Sequence, residues 1–415
     1  MSVLVLSHRD VERVTATLSA PSLCDMLAST MLAISTDNQS SASDATVAPI
    51  QNPQRIATGS LLHKTLYMPS RLTTSQGSAT SIKVVAVPKP TCRVPGLPAT
   101  TLLMDESTGR VRAVVNASEL TGIRTAAASA LATRTLADPD ARNLVVFGSG
   151  TQAYWHARLI LELFPSIARV RFVVRETTDR SRSLVDRITA EFPRVESSSK
   201  MSSEAANVVT GADIICTCVP STTPLFNARD LKRSVHINAI GSYTPTMVEF
   251  PPSLISPRDQ TVSTSTSITT ETPTTTTTTT TMTKDEPDNV KIETILVDSR
   301  DACLAEAGEL IQAGIHPSNC IEIGQLFSPR APSSSASIPV PKDDAPSDAV
   351  LRPASGPPTL RSDPESLAVL DRLGRGAGRR SLFKCVGVGG MDVAITRAVV
   401  DEAERLGFGS RVEFF

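Results

Sequence analysis

From Asn143 to Gly241 the chain alternates two kinds of segment. "NLVVFG", "RVRFVVR", "ADIICTCV" and "SVHINAIG" are short, nearly unbroken apolar runs, and "TQAYWHARLILELF", "DRSRSLVDRITAEF" and "SSEAANVVTG" carry apolar residues at helical spacing. Apolar strands separated by amphipathic helices predict a parallel sheet with both faces covered. Upstream, "SIKVVAVPK" predicts a strand, and "TTLLMDESTGRVRAVV" predicts a hairpin turned at Gly109. "ASELTGIRTAAASALATRTLADP" predicts a long alanine-rich helix with Ser118 as N-cap and Asp138-Pro139 as its stop. "MDVAITRAVVDEAERLG" predicts one more helix near the end.

Two segments break the pattern. Residues 257–289 hold the threonine run, and 329–363 are rich in Pro, Ser and Ala. Neither offers enough large apolar side chains to offset the entropy of ordering, so both read as low-complexity, disordered insertions. They fit loop insertions on a finished fold; a regulatory or partner-binding role is the alternative.

Composition narrows the function. A chain of 415 residues can hold two domains. Its net charge of -1, without a basic block interleaved with aromatics, argues against a dedicated nucleic-acid binder. No apolar stretch approaches the ~20 residues of a membrane span. The start "MSVLVLSHRDVERV" reads as no secretory signal and the end "VEFF" as no targeting tripeptide, so a cytoplasmic protein is expected. The seven cysteines are scattered; Cys216 and Cys218 are close, but C-x-C in an apolar run is a poor metal spacing, so reduced thiols and no metal are expected.

The chemistry begins at Gly148-Ser149-Gly150-Thr151-Gln152-Ala153, a G-x-G-x-x-A that follows an apolar strand and opens a helix. Gly148 permits the tight turn, Gly150 lets the backbone approach a pyrophosphate, and Ala153 lets the helix lie close to the strand. Helix N–H groups then face the phosphates. The next strand ends "VVRETTDRS". Arg175 at its tip, with Thr177 and Arg180 beyond, can pair with a 2′-phosphate and favours NADP(H). A one-residue shift would instead present Glu176 to a ribose and favour NAD(H).

"ELTGIRTAAASALATRTLADPDARNLVVFGSGTQAYWHA", "HINAIGSYTPTMVEFP", "VDSRDACLAEAGEL" and "SLFKCVGVGGMDVA" together resemble the ornithine cyclodeaminase/mu-crystallin family. The resemblance implies an α/β fold: a Rossmann dinucleotide-binding domain inserted in an α+β substrate-binding and dimerisation domain formed by both chain ends. The expected boundaries are 1–137 with 364–415 for the outer domain and 138–328 for the Rossmann domain. The resemblance also implies a homodimer and a small amino or imino acid substrate. Its carboxylate would be held by Arg55, Lys83 and Arg124, with Lys83 placed to move a proton. A solvated helix position for Arg124, an edge charge for Lys83 and a plain surface position for Arg55 are the alternatives. Thr100, Thr125, Thr151, Gln152, Val219 and Lys384 join Gly148, Gly150, Arg175 and Thr177 as cofactor contacts by the same resemblance.

One departure bears on the reaction. Cyclodeaminases of the family carry an aspartate where Tyr243 stands in Gly241-Ser242-Tyr243-Thr244-Pro245. A phenol near its ordinary pKa cannot replace that carboxylate. The expectation is therefore NAD(P)H-dependent reduction of a cyclic imino acid, with Tyr243 either hydrogen-bonding the substrate nitrogen or lining the pocket. A cyclodeaminase-type ammonia lyase and a non-catalytic small-ligand binder are the alternatives.

Overall fold

The computed structural model describes residues 2–37, 48–74, 77–89, 91–93, 96–255, 291–329, 356–376 and 378–413. The threonine run lies outside the described residues, as does most of the second insertion. The first part of the chain forms β1 (Ser2–Leu6), α1 (His8–Thr15), α2 (Ala20–Asp37), β2 (Ile50–Gln51), β3 (Ile56–Gly59), β4 (His63–Thr74), β5 (Gly77–Pro88), β6 (Ala99–Met104), β7 (Val111–Asn116) and α3 (Leu120–Leu136). Then come β8 (Asn143–Phe147), α4 (Thr151–Leu163), β9 (Arg169–Val174), α5 (Asp179–Glu191), β10 (Glu196–Met201), α6 (Ala205–Val209), β11 (Ile214–Thr217) and β12 (Val235–Ala239). The remainder is β13 (Ile295–Val297), α7 (Arg300–Glu306), α8 (Gly308–Gln312), β14 (Cys320–Glu322), β15 (Phe327–Ser328), β16 (Thr359–Leu360), α9 (Pro364–Arg372), β17 (Arg380–Lys384), α10 (Gly389–Leu406) and β18 (Ser410–Glu413).

Two eight-stranded sheets organise these elements. The first runs β18-β1-β7-β6-β5-β4-β2, with β3 on β4. Its strands pair antiparallel except β1 with β7, and the chain's two ends meet where β18 pairs with β1. The second runs β10-β9-β8-β11-β12-β17-β13-β14 and is parallel throughout. Strand order reverses between β8 and β11, the crevice where open parallel sheets take ligands. The polar strand "ESSSKM" (β10) is tolerated because it is an edge strand.

The fold corrects the outer boundary. β17 belongs to the parallel sheet, between β12 and β13, so the chain returns to the first domain after Lys384, not at 364. All five residues of β17 are buried, and its backbone groups are satisfied by the ladders to β12 and β13 on either side. The second insertion also ends earlier than 363: β16 pairs antiparallel with β15, and the Asp363 side chain caps α9 by accepting from the Ser366 N–H. The hairpin stands as expected, with β6 and β7 paired and Gly109 at φ +68°. Ser118 does not cap α3. The helix starts at Leu120 without a side-chain cap, and the Ser118 N–H goes to Asn116 Oδ1.

α3 joins the two halves. Apart from Thr121 and Arg134, every residue in it is buried. Its small side chains let α2, α4 and α10 close around it. A Cβ on Gly122 would stand 2.8 Å from Thr151 Cγ2 and 3.1 Å from the Trp155 ring. Trp155 itself is buried and donates its indole N–H to Glu119 at 2.8 Å, a packing role. α10 lies across β4, β5 and β6 on the same side. On the opposite face of that sheet Ile82, Val84, Leu102 and Val114 remain partly exposed.

No single helix among the described residues is long and apolar enough to cross a membrane. The bent pair α1–α2 passes by composition, but Leu23, Leu27 and Met31 of α2 are core residues.

Candidate functional site

The glycine turn sits at the carboxyl end of β8. Gly148 has φ +113°, a conformation that side chains rarely adopt, and a Cβ there would lie 2.8 Å from Val219 Cγ1. Val219 ends the run after β11, and its carbonyl in turn lies where a Cβ on Gly241 would have to go. Gly148, Val219 and Gly241 therefore close the crevice edge of three neighbouring strands. Ala153 is fully buried, so the helix lies tight on the sheet. This cradle fits a dinucleotide pyrophosphate: the backbone is bare at Gly148 and Gly150, and α4 begins at Thr151 with Gly150 at its N-cap. Thr151 packs on Gly122, and the Gln152 amide donates to the Thr121 carbonyl at 3.3 Å, so these two residues anchor the cradle to α3. Thr177 bonds Met201 Sδ at 3.8 Å, while Arg175 stands exposed just past the end of β9.

The second constellation lies across α3. Lys83 of β5 and Arg124 of α3 converge on Asp392 in the first turn of α10. Lys83 Nζ is 2.6 Å from Asp392 Oδ2, and Arg124 Nε is 3.2 Å from Oδ1. All three are buried, at 3–4% exposure, so neither cation is an edge or solvated charge. Burial lowers the Lys83 pKa, with Arg124 and Arg55 adding to the effect and Asp392 opposing it. Burial alone would raise the Asp392 pKa, but the two cations outweigh it and hold the carboxylate below its ordinary value. Two cations on one anion leave the group one positive charge in excess.

A third layer holds Arg124 from below. Gly387, just past β17, has φ +86°, and a Cβ there would collide with the Arg124 guanidinium. The Gly387 N–H donates to Asp298 Oδ2 at 2.7 Å, and Cys385 Sγ donates to the same oxygen at 3.1 Å. Cys303 Sγ and the Ser299 N–H occupy Oδ1. Asp298 follows β13, so a buried carboxylate at the carboxyl edge of the parallel sheet fixes the turn on which the guanidinium rests.

The remaining expected residues divide. Thr125 is buried beside Arg124 on α3. Arg55, next to β3, is partly exposed and paired with Glu306 of α7 at 2.5 Å, though its charge is felt at Lys83. Thr100 does not join the group. Lys83 pairs across the ladder with Thr101, and alternation puts Thr100 on the opposite face, where it is exposed. Lys384 is fully enclosed. Its Nζ lies 3.8 Å from the carboxylates of Glu249 and Glu309. Glu249 Oε2 accepts from the N–H groups of Gly241 and Ser242 at 2.7 and 3.0 Å. Burial, with Glu309 adding and Lys384 opposing, pushes the Glu249 pKa up to about 7. Lys384 thus acts through the turn that presents Tyr243, which is 39% exposed. Asp392, Asp298, Glu249 and Glu309 were not singled out in the sequence. The one available signal was an acidic residue inside an apolar run that has to be buried, as at Asp392.

Residues 27–314 match the model of the ornithine cyclodeaminase/mu-crystallin family. The chain belongs to this family. It is similar to the ketimine reductase mu-crystallin of Rattus norvegicus, 29% identical over 240 residues that cover 58% of this chain and 62% of that protein. The chain thus spans less than two thirds of that relative's length. It is also similar to the delta(1)-pyrroline-2-carboxylate reductase of Bacillus thuringiensis subsp. konkukian, 25% identical over 318 residues, covering 75% of this chain and 73% of that protein. Among solved structures, the Thermococcus litoralis delta(1)-pyrroline-2-carboxylate reductase in complex with NADH and L-proline superposes with a TM-score of 0.67 at 19% identity, covering 99% and 100% of the two chains. That likeness supports the fold: a Rossmann-type unit within the two-sheet architecture described above.

Proposed function

We propose that this chain is an NAD(P)H-dependent reductase of cyclic imino acids. The observation that carries the reading is the buried Lys83–Asp392–Arg124 group, one positive charge in excess, at the carboxyl edge of a parallel sheet whose first turn is a bare glycine cradle. A substrate carboxylate supplies the charge this group lacks. Arg124 binds Asp392 through Nε and donates from Nη1 to Met391 Sδ at 3.5 Å, a weak thioether acceptor that a planar substrate carboxylate would outcompete for the terminal nitrogens. A reduced nicotinamide held by the cradle would supply hydride to the imine carbon. Lys83, with its pKa lowered by burial, is a better acid than a free lysine and is suited to give a proton to the imine nitrogen. Tyr243 stands on the turn clamped by Glu249 and contributes no carboxylate, which disfavours a cyclodeaminase step.

Arg175, at the tip of β9, favours NADP(H) over NAD(H). The partly exposed apolar face carrying Ile82, Val84, Leu102 and Val114 supports a homodimer formed through the first sheet. The deciding experiment assays the purified chain with five- and six-membered cyclic imino acids and with ornithine, using NADPH and NADH. Net oxidation of the reduced cofactor with an imino acid supports the reading. Ammonia release from ornithine without net cofactor change would replace it with a lyase, and cofactor binding without turnover would replace it with a ligand binder.

A further inference from the structure

We infer that Arg180 is a second anion-binding arginine of the cradle, placed to contact the pyrophosphate common to NADH and NADPH, while Arg175 addresses only a 2′-phosphate. The inference rests on the dinucleotide reading above. Arg180 lies in the first turn of α5, beyond the strand that ends at Val174. Its guanidinium folds back over the glycine turn: Nη2 lies 3.0 Å, and Cζ 3.7 Å, from where a Cβ on Gly150 would stand. That is the space the second glycine keeps open for close approach of a pyrophosphate. The carboxylates around it do not neutralise it. Asp179 is turned to Arg182 at 2.9 Å, and neither Arg180 nor Arg175 has an acidic partner among the described residues. The helix end offers it nothing either, because Thr178 and Ser181 already cap α5 reciprocally. A free guanidinium over a bare glycine, beside the N-terminus of α4, is a ready contact for a phosphodiester oxygen.

The two arginines make separable contributions. The test compares Arg180→Ala and Arg175→Ala with the unaltered protein, measuring the Kd of NADPH, NADH, ADP (a pyrophosphate without a 2′-phosphate) and 2′-AMP (the reverse). Arg180→Ala is expected to weaken NADPH, NADH and ADP by a similar factor of about 10–100, the range for one charge-assisted contact, and to flatten the salt dependence of ADP binding. 2′-AMP should be unaffected. Arg175→Ala should weaken NADPH and 2′-AMP alone. Arg180→Lys keeps the charge but not the planar fork and should fall between. Unchanged NADH and ADP affinity in Arg180→Ala would overturn the assignment. A loss confined to NADPH and 2′-AMP would move Arg180 to the 2′-phosphate and overturn it equally. Failure of the unaltered protein to bind any of the four ligands would instead remove the dinucleotide reading itself.

Discussion

Replacing Asp392 with asparagine keeps the shape of the side chain and removes only its charge. Lys83 and Arg124 would then face each other in a buried site without their shared anion. Removing one partner of a buried ion pair costs about 3–5 kcal/mol when the other charge persists. Here the cost has an outlet, because Lys83 can release its proton. Losing the attraction of Asp392 leaves burial and Arg124 unopposed and lowers the Lys83 pKa further. The wild-type pKa is already depressed by burial. In the variant, Lys83 therefore gives up its proton at lower pH than in the wild type and serves less well as the acid. The expected result is a fall in kcat/KM for a cyclic imino acid of about 10–100-fold on the alkaline side of the profile, partly recovered as the pH is lowered and Lys83 regains its proton. The melting temperature should drop by roughly 5–15 °C. The assay is a pH profile of kcat/KM from 5.5 to 9.5 for wild type and Asp392→Asn. In both, the rate falls as pH rises through the Lys83 pKa, and in the variant that limb moves to lower pH. An alkaline limb at the same pH in both proteins would refute the proton-donor role of Lys83. Unchanged turnover would refute the reading of the whole constellation.

Other perturbations probe separate parts of the site. Arg124→Ala should leave NADPH affinity intact while kcat/KM collapses by at least about 10–100-fold; intact turnover, or lost NADPH binding, would contradict its role as the carboxylate contact. Asp298→Ala should free the Gly387 turn beneath Arg124 and raise the substrate KM without shifting the cofactor Kd, as checked by steady-state kinetics and NADPH fluorescence titration. Glu249 has its folded pKa raised to about 7, so the folded state holds a proton that the unfolded chain gives up near 4.5. Stability is then lost as pH climbs from about 4.5 to 7, by roughly 2–4 kcal/mol. Glu249→Gln keeps an acceptor for the Gly241 and Ser242 N–H groups but cannot titrate. Urea unfolding at pH 5.5 and 8.0 should show a smaller decline in the variant than in wild type, and equal declines would count against the buried-proton account.

The legible parts of the fold are those whose signals are local. An apolar run, two glycines and an alanine at fixed spacing suffice for the β8–α4 turn, and a turn glycine between apolar runs suffices for the β6–β7 hairpin. β17 was misplaced because the sequence around it changes character at residue 364, whereas its neighbours in the sheet are fixed by crossovers from residues far upstream. β4 spans 12 residues of "HKTLYMPSRLTT", where proline and arginine break the alternation that marks a strand. Thr100 faces away from Lys83 by register alone, since one residue's shift exchanges the two faces of a strand. The site was legible in its cations and illegible in its anions. Lys83 and Arg124 were carried by the family resemblance, while Asp392, at the start of a helix, passes for an ordinary first-turn acid. Only the approach of α10 to β5 and α3, 309 and 268 residues away in the chain, gives it a second meaning.

That approach also explains why the two domains act as one site. Arg124 belongs to the first domain, yet it rests on Gly387 and through it on Asp298, both at the carboxyl edge of the parallel sheet. Gly122, half a helical turn before Arg124, is the surface on which Thr151 packs, and Thr151 opens the helix that faces the pyrophosphate. The buried helix α3 therefore carries the arginine proposed to bind substrate at one point and the wall of the glycine cradle at another, with about 3 Å of axial rise between them. A rigid helix fixes that separation better than two loops would, because all but two of its residues are buried and its backbone bonds are internal. The small residues of α3 follow from the same requirement. A larger side chain at Gly122 would push α4 away, and the glycine turn would move with it, while Lys83 and Asp392 stayed in place on β5 and α10. The distance between hydride donor and imine carbon would then lengthen without the loss of any group that binds either partner. On the proposed reading, the alanine-rich composition of this helix is thus part of the geometry that would bring the two reactants together.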